Sequence, residues 1–274
     1  MPDITLKDVS FQYKNGFLAL DKINLSISQG EKVAIVGQNG AGKTTTVKLM
    51  NNLMRPTTGD VFIGGKNTKD YTTAQISHEI GYVFQNPDDQ IFHATVREEV
   101  AFGPRESLKL SDDGVKERTR FALESVGLWK YRNENPYNLP LSTRKFITIA
   151  SILAVDTPVM IFDEPTAGQD LKGMLLLSRL IKELCDNGKT VVTITHDIDF
   201  AAENFERIVA MANKHILLEG HPSEIFYDRA VLEEAMLKAP YAVRLSEYLG
   251  LNKDKKIVKK HEFTEVFLES LNNQ

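Results

Sequence analysis

The apolar run Val33-Ala34-Ile35-Val36 leads straight into Gly37-Gln38-Asn39-Gly40-Ala41-Gly42-Lys43-Thr44, and that join constrains the fold more than any other feature of the chain. A continuous apolar tetrad bounded by glycine reads as a strand buried on both faces. No helix breaker follows Lys43 until Pro56, so the segment is predicted to run strand, tight loop, helix. Consecutive backbone N–H groups of such a loop point inward while the helix presents its positive N-terminus, which together make a seat for phosphate. Lys43 adds a point charge for the outer phosphates, and the Thr44 hydroxyl is of the kind that binds Mg2+.

Short buried strands of the same kind are predicted at Ile80 to Phe84, Val159 to Phe162 and Val191 to Ile194. Between the last two lies a helix whose Leu171, Leu175, Ile181 and Leu184 are expected on one face, stopped by Asn187-Gly188. Strands alternating with helices predict an α/β fold with a mostly parallel, helix-covered sheet. Ahead of it, Ile23, Leu25 and Ile27 alternate with Asn24, Ser26 and Ser28, and Ile4 and Leu6 begin a similar run, the pattern of an antiparallel β edge subdomain. From Thr95 to Asn138 the strand signal disappears, and Val115, Thr119, Ala122 and Val126 recur at helical spacing between the cap Ser111 and Gly127. A helical insertion over about 95–150 is therefore expected inside a domain spanning 1–220. A helical extension, 221–274, carries Ile225, Leu232 and Leu237 and then the lysine run from Lys253 to His261, read as a solvated face or as a contact for anionic headgroups or an acidic partner.

A formal charge of −4 gives no global attraction to nucleic acid. The single cysteine, Cys185, excludes an intramolecular disulfide and suits a reducing compartment, as apolar filling of a helix. The N-terminus is acidic and alternating, and no apolar run approaches the ~20 residues that span a bilayer. A cytoplasmic chain is expected.

Phosphate chemistry also needs a metal ligand and a polarised water. The strand ending in Phe162 delivers Asp163 to the phosphate end of the sheet, where it can hold Mg2+, and places Glu164 one residue on, where it can orient an attacking water. Glu164 has a second reading, as a charge at a helix N-terminus. His196 follows the next buried strand at the same sheet edge. Gln85 stands after a short strand and before Pro87, where a glutamine otherwise caps a turn, and Tyr13, before Asn15-Gly16, either stacks on a purine or merely packs.

These residues, in this order, resemble the ATPase subunits of ABC transporters, from the first strands to about Ser223. The resemblance implies a P-loop NTPase of ABC type that hydrolyses ATP with Mg2+. It makes Tyr13 the adenine-stacking ring, Gly37 to Thr45 the Walker A loop with Gln38, Asn39, Gly40, Ala41, Gly42, Lys43 and Thr44 between, and Gln85 the Q-loop. Thr44, Gln85 and Asp163 are then the metal ligands, Asp163 and Glu164 the Walker B pair, and Glu164 and the switch histidine His196 the catalytic groups. The stretches from Val83 to Gln90 and from Ala94 to Gly103 look like the energy-coupling-factor importers, whose paired ATPases drive uptake of vitamins and of nickel or cobalt ions. That likeness implies a peripheral place on the cytoplasmic face of the membrane. The implied partners are a second ATPase, a transmembrane coupling subunit and a substrate-binding membrane subunit, and no nucleic acid.

One motif departs from the family. Its signature, LSGGQ, should fall where the chain reads Leu139-Pro140-Leu141-Ser142-Thr143-Arg144-Lys145, counting back from Asp163 without gaps, so the motif's serine and both glycines are replaced. In the family two cassettes pack head to tail, each nucleotide lying between one subunit's Walker A and the other's signature. Proline has no N–H to give to a γ-phosphate and leucine obstructs backbone approach. The loop after Walker B reads Ala167-Gly168-Gln169-Asp170-Leu171, where leucine before the aspartate and proline after it are usual, with Asp170 left to communicate across the dimer interface. Together these departures imply an asymmetric pair. The rival readings are a soluble ABC ATPase acting on ribosomes or DNA, and a regulatory ATPase subunit with one degenerate site.

Overall fold

The computed structural model describes residues 2–251 and 255–272. Its strands, in chain order, are β1 (Pro2–Gln12), β2 (Leu18–Ser28), β3 (Lys32–Val36), β4 (Thr58–Ile63), β5 (Lys66–Asn67), β6 (Ile80–Val83), β7 (Val159–Asp163), β8 (Thr190–Ile194), β9 (Arg207–Ala212) and β10 (His215–Gly220). The central sheet runs β10-β9-β3-β8-β7-β6, with every pair from β9 to β6 parallel and β10 antiparallel at the edge. The order β2-β1-β4-β5 forms a separate antiparallel sheet.

Side chains alternate across a strand, and in β3 and β7 both faces are covered. Val33 and Ile35, Val159 and Ile161 pack toward the antiparallel sheet and the helix Lys43–Met50, with Ile4, Leu6, Ile23, Leu25 and Ile27. Ala34 and Val36, Met160 and Phe162 pack on the opposite side with the helices Leu141–Val155 and Leu171–Asp186. Two covered faces explain why these strands read as unbroken apolar runs, and each fully buried large side chain contributes roughly 1.5–3 kcal/mol.

The expected face of Leu171–Asp186 is corrected. Leu171 and Leu175 are 75% and 63% exposed, and the buried stripe is Gly173, Leu177, Leu180 and Ile181. At about 100° per residue, Leu171 and Leu175 stand on the side opposite Leu177 and Leu180. Leucines all round this helix leave its inward side unmarked by composition. The hairpin β9-β10 is also absent from the sequence reading. Its two-residue turn, Asn213 and Lys214, has both φ values positive, at 49° and 75°, the geometry that matches the twist of paired strands.

Helices Val96–Phe102 and Asp112–Ser125 pack on Leu141–Val155, and Ser111 caps the second of them by accepting from Gly114 N at 3.3 Å. Asp156 bridges this helical part to the sheet, pairing with Arg118 at 3.0 Å and Lys189 at 2.8 Å. After Gly220 the chain forms helices Pro222–Ile225, Arg229–Glu234, Tyr241–Tyr248 and Lys260–Asn272. The lysine run is not a uniform solvated face: Lys255 and Lys256 are exposed but Ile257 and Val258 are buried, and Tyr227 Oη accepts from Ile257 N at 3.0 Å. Lys253 and Asp254 lie outside the described residues.

Candidate active site

The phosphate loop joins β3 to the helix Lys43–Met50, whose N-cap is Gly42, with no side-chain cap and no acid in the first turn. The N-terminal N–H groups are thus left for an anion. Lys43 folds back across the loop, its Nζ donating to the carbonyls of Gly37 at 2.8 Å and Gln38 at 3.0 Å. Burial lowers its pKa, against the opposing pull of the Glu164 and Asp163 charges.

Strand β7 brings the acids to the same edge. Asp163 is 1% exposed; its Oδ2 accepts from the Tyr82 hydroxyl at 2.7 Å, while its Oδ1 has no hydrogen-bond partner among the described residues. Burial raises the Asp163 carboxyl above its ordinary value, opposed by the Tyr82 hydroxyl, the charges of Lys48 and Lys43, and the Thr44 hydroxyl. Burial likewise pushes the Tyr82 phenol far up, reinforced by the Asp163 charge, so it stays a donor. Glu164, also buried, sits at φ +49°, a left-handed conformation that a side chain rarely adopts. Its Oε2 meets His196 Nδ1 at 2.7 Å and accepts from His196 N at 3.2 Å. The imidazole itself is 64% exposed.

A cleft of about 230 Å³ is lined by Tyr13, Asn39, Gly40, Lys43, Thr44 and Gln85, among others. Tyr13 is held there by its hydroxyl, 3.1 Å from Thr45 Oγ1, and by an edge contact with Phe11. Glu164 lines this cleft and an adjoining one of about 590 Å³ that also takes in Gly37, Gln38 and His196. Ala41, within the loop, is buried.

The signature-position residues stand elsewhere. Pro140 is the N-cap of Leu141–Val155 and offers no side-chain bond. Ser142 and Thr143 line a different groove, of about 740 Å³, with Gln169 and Asp170. Leu141 is 48% exposed. Asp170 caps the helix that follows it, its Oδ1 accepting from Gly173 N at 2.8 Å.

Against known proteins, the profile of the ABC transporter family matches residues 20–167. The chain belongs to the ABC transporter ATP-binding family. A protein of Pyrococcus furiosus named as an ABC transporter ATP-binding protein is 42% identical over 248 residues, spanning 90% of this chain and 94% of the relative. The energy-coupling factor transporter ATP-binding protein EcfA of Methanothermobacter thermautotrophicus is 39% identical over 251 residues, 90% of this chain and 80% of that protein. Among solved structures, cbiO1 of Clostridium perfringens, described as part of the ABC transporter complex cbiONQ, superposes with a TM-score of 0.77 at 31% identity, covering 91% of this chain and 99% of that one.

This ABC ATPase uses ATP with Mg2+. The site fits the ion on its own chemistry. Mg2+ takes oxygen ligands and is held by one or two carboxylates together with substrate phosphates, and the buried, unpartnered Asp163 Oδ1 near the Thr44 hydroxyl is such a set. Bound there, Mg2+ supplies charge stabilisation to the phosphoryl group.

Two residues at the site escaped the sequence reading. Tyr82 lies in a strand buried at every position, where a phenol needs a partner for its hydroxyl. Lys145 is a cation in the buried stripe of Leu141–Val155, where an unpaired charge is costly. Each carried that signal, but Tyr82 belongs to no short motif and Lys145 stands at the end of the altered signature stretch, where no role is assigned to it.

Proposed function

We propose that this subunit powers an importer of the energy-coupling-factor type, carrying a vitamin or a transition-metal ion, as one half of an asymmetric ATPase dimer. The observation that carries the asymmetry is the contrast between the two half-sites. Lys43 lines one cleft and His196 the adjoining one, Glu164 lines both, and Asp163 is buried one residue before it, whereas the helix at the signature position begins Pro140-Leu141-Ser142-Thr143 with no side-chain cap. The likeness to EcfA and to cbiO1 supports the importer type.

In this reading residues 1–220 are the ATPase domain, with the helical insertion over about 95–150, and 221–274 form a C-terminal extension. Tyr13 stacks on adenine and Gly37 to Thr45 cradle the phosphates. Thr44, Gln85 and Asp163 face the metal. Glu164 orients the water, held by His196, whose exposed ring is free to meet the γ-phosphate. A non-identical ATPase with an intact signature completes this cleft, while Pro140 to Thr143 and Asp170 face the partner's nucleotide. Losing donors to developing charge costs roughly a hundredfold or more in rate, so the opposite site turns over slowly. The complex sits on the cytoplasmic face of the membrane with a coupling subunit and a substrate-binding subunit; no helix of the described residues is long and apolar enough to cross the membrane itself.

The test is to isolate the complex by a tag on this chain, identify its subunits and measure ATP turnover. A second ATPase with an intact signature, and loss of turnover in Glu164→Gln by roughly a hundredfold or more, are expected. A homodimer overturns the asymmetry. Turnover retained by Glu164→Gln overturns the assignment of the site.

A further inference from the structure

Lys145 is 2% exposed, and its Nζ donates to the carbonyl of Glu164 at 2.7 Å and to that of Ala167 at 3.2 Å. Ala167 N also donates to the Glu164 carbonyl, at 3.3 Å, so the ammonium ties both ends of a closed turn just after β7. Gln169, standing where the family usually has leucine, donates from Nε2 to the Ser142 carbonyl at 3.2 Å. Its amide lies over Gly173: a Cβ there would stand 2.3 Å from Gln169 Oε1. The residues that depart from the family pattern in two separate segments therefore bond across to each other.

We propose that Lys145 is a positioning residue for ATP hydrolysis: it fixes the Glu164–Ala167 turn and so holds the Glu164 carboxylate in line, and with Gln169 it couples that carboxylate to the first turn of Leu141–Val155. The inference rests on the reading of Glu164 as the water-orienting group.

Glu164 at φ +49° is a conformation that persists only where the surroundings over-determine it. Its N–H is fixed on the Ile194 carbonyl at 2.9 Å, and its carboxylate is fixed on His196. Lys145 supplies the third restraint, on the carbonyl. Charge-assisted bonds of this kind are about twice as strong as neutral ones. Burial lowers the Lys145 pKa, but the charges of Glu164 and Asp163 oppose that fall. On the other side, Ser142 and Gln169 line the groove that holds Asp170, so a displacement of the helix start is passed to the turn through two bonded contacts.

The experiment compares Lys145→Met and Lys145→Gln with the parent and with Glu164→Gln, in the complex isolated through this chain, reading kcat, KM for ATP and the thermal midpoint. Methionine fills the space without donors, whereas glutamine keeps an N–H donor for a carbonyl. Misplacement of a reacting group by about 1 Å costs about a hundredfold. Lys145→Met is expected to lower kcat by roughly ten- to a hundredfold with KM for ATP within about twofold, and Lys145→Gln to recover most of the loss. If Lys145→Met keeps the parent's kcat while Glu164→Gln abolishes turnover, the inference alone fails. A kcat loss shared equally by the Met and Gln variants, in step with the thermal midpoint, also overturns it, since that is a structural role. Turnover that survives Glu164→Gln sinks the reading of the site and the inference with it. Should Lys145→Met not fold, Gln169→Leu cuts the same link from the groove side. A severalfold lower kcat at unchanged KM supports the coupling, and parental values in both refute it.

Discussion

Replacing Tyr82 by phenylalanine removes one hydroxyl and little else. The ring is 7% exposed and packs edge-on against Phe84 with centroids 4.8 Å apart, contacts that phenylalanine keeps. What is lost is the 2.7 Å bond to Asp163 Oδ2, on a carboxylate whose other oxygen already lacks a hydrogen-bond partner. A hydrogen bond to a charged group contributes about 1.5–3 kcal/mol. In a chain of this size that loss lowers the melting midpoint by roughly 3–5 °C when nucleotide is absent. With Mg-ATP bound, the cation compensates the Asp163 charge, and the missing bond costs only what a neutral one does, about 0.5–1.5 kcal/mol. The difference, about 1–1.5 kcal/mol, must appear as tighter binding of Mg-ATP by the variant, by up to about tenfold. Thermal unfolding of parent and Tyr82→Phe, with and without saturating Mg-ATP, measures both quantities. An unchanged midpoint without nucleotide refutes the hydrogen-bond argument. An equal loss in both conditions refutes Asp163 as the carboxylate that meets the metal.

The loop glycines are expected to separate by environment. At Gly37, φ +150°, a Cβ would lie 2.1 Å from the Met211 carbonyl oxygen, whereas at Gly40, φ +83°, it would meet nothing within 4 Å. Gly40→Ala therefore carries only the left-handed backbone cost, about 1–2 kcal/mol. Gly37→Ala adds overpacking of roughly 1–3 kcal/mol and loses ATP affinity as the loop shifts. Denaturant unfolding that ranks Gly37→Ala equal to or above Gly40→Ala contradicts this. For Asp156, burial opposes ionisation, but the hydrogen bonds and charges of Lys189 and Arg118 outweigh it and hold the carboxyl below its ordinary value of 3.8. A depressed carboxylate contributes stability that is present above the unfolded value and lost as pH falls through the native one. Asp156→Asn should thus be less stable at pH 7, by no more than about 1 kcal/mol because the group is partly solvated. Its melting curve should be flatter than the parent's below about pH 5, with the two converging in acid. Parallel curves across that range exclude the bridge as a contributor.

The parts of the fold that could be read from the chain are those whose environment is uniform along the segment. Strands β3, β6, β7 and β8 are buried on both faces, so composition alone marks them, and Ser111 and Asn187-Gly188 mark helix ends by local bonds. The face of Leu171–Asp186 was not legible, because Leu171 and Leu175 are leucines turned outward among leucines turned inward. Nor was β10, whose half-buried edge position leaves Ile216 and Leu218 as weak alternation. At the site, Gly37 to Thr45, Asp163, Glu164 and His196 stand at the ends of those legible strands. Tyr82 and Lys145 act through partners 81 and 19 residues away in sequence. Their roles are set by pairing across the sheet and by packing of the Leu141–Val155 helix, which no local pattern encodes.

The loop from Asp163 to Asp170 faces two ways, and the start of Leu141–Val155 is bonded to what lies on both sides of it. Glu164 lines the phosphate cleft and Asp163, one residue before it, is buried against the Tyr82 hydroxyl, while Asp170 lies in the groove with Ser142 and Thr143. Arg144 pairs with Asp88 at 2.9 Å, three residues past Gln85, and Lys145 holds the turn after Glu164. The two adjacent residues thus anchor the helix start to the Gln85 loop and to the Glu164 turn. Any occupant that moves this helix must strain both anchors or shift both loops, since packed interiors do not deform continuously. Under the proposed asymmetry, a weakened signature leaves the chain with its proposed hydrolytic groups intact and still mechanically joined to the groove the partner would face. On that account the first effect of cutting Arg144 from Asp88, as in Asp88→Asn, falls on coupling between the two half-sites rather than on binding of ATP at this one.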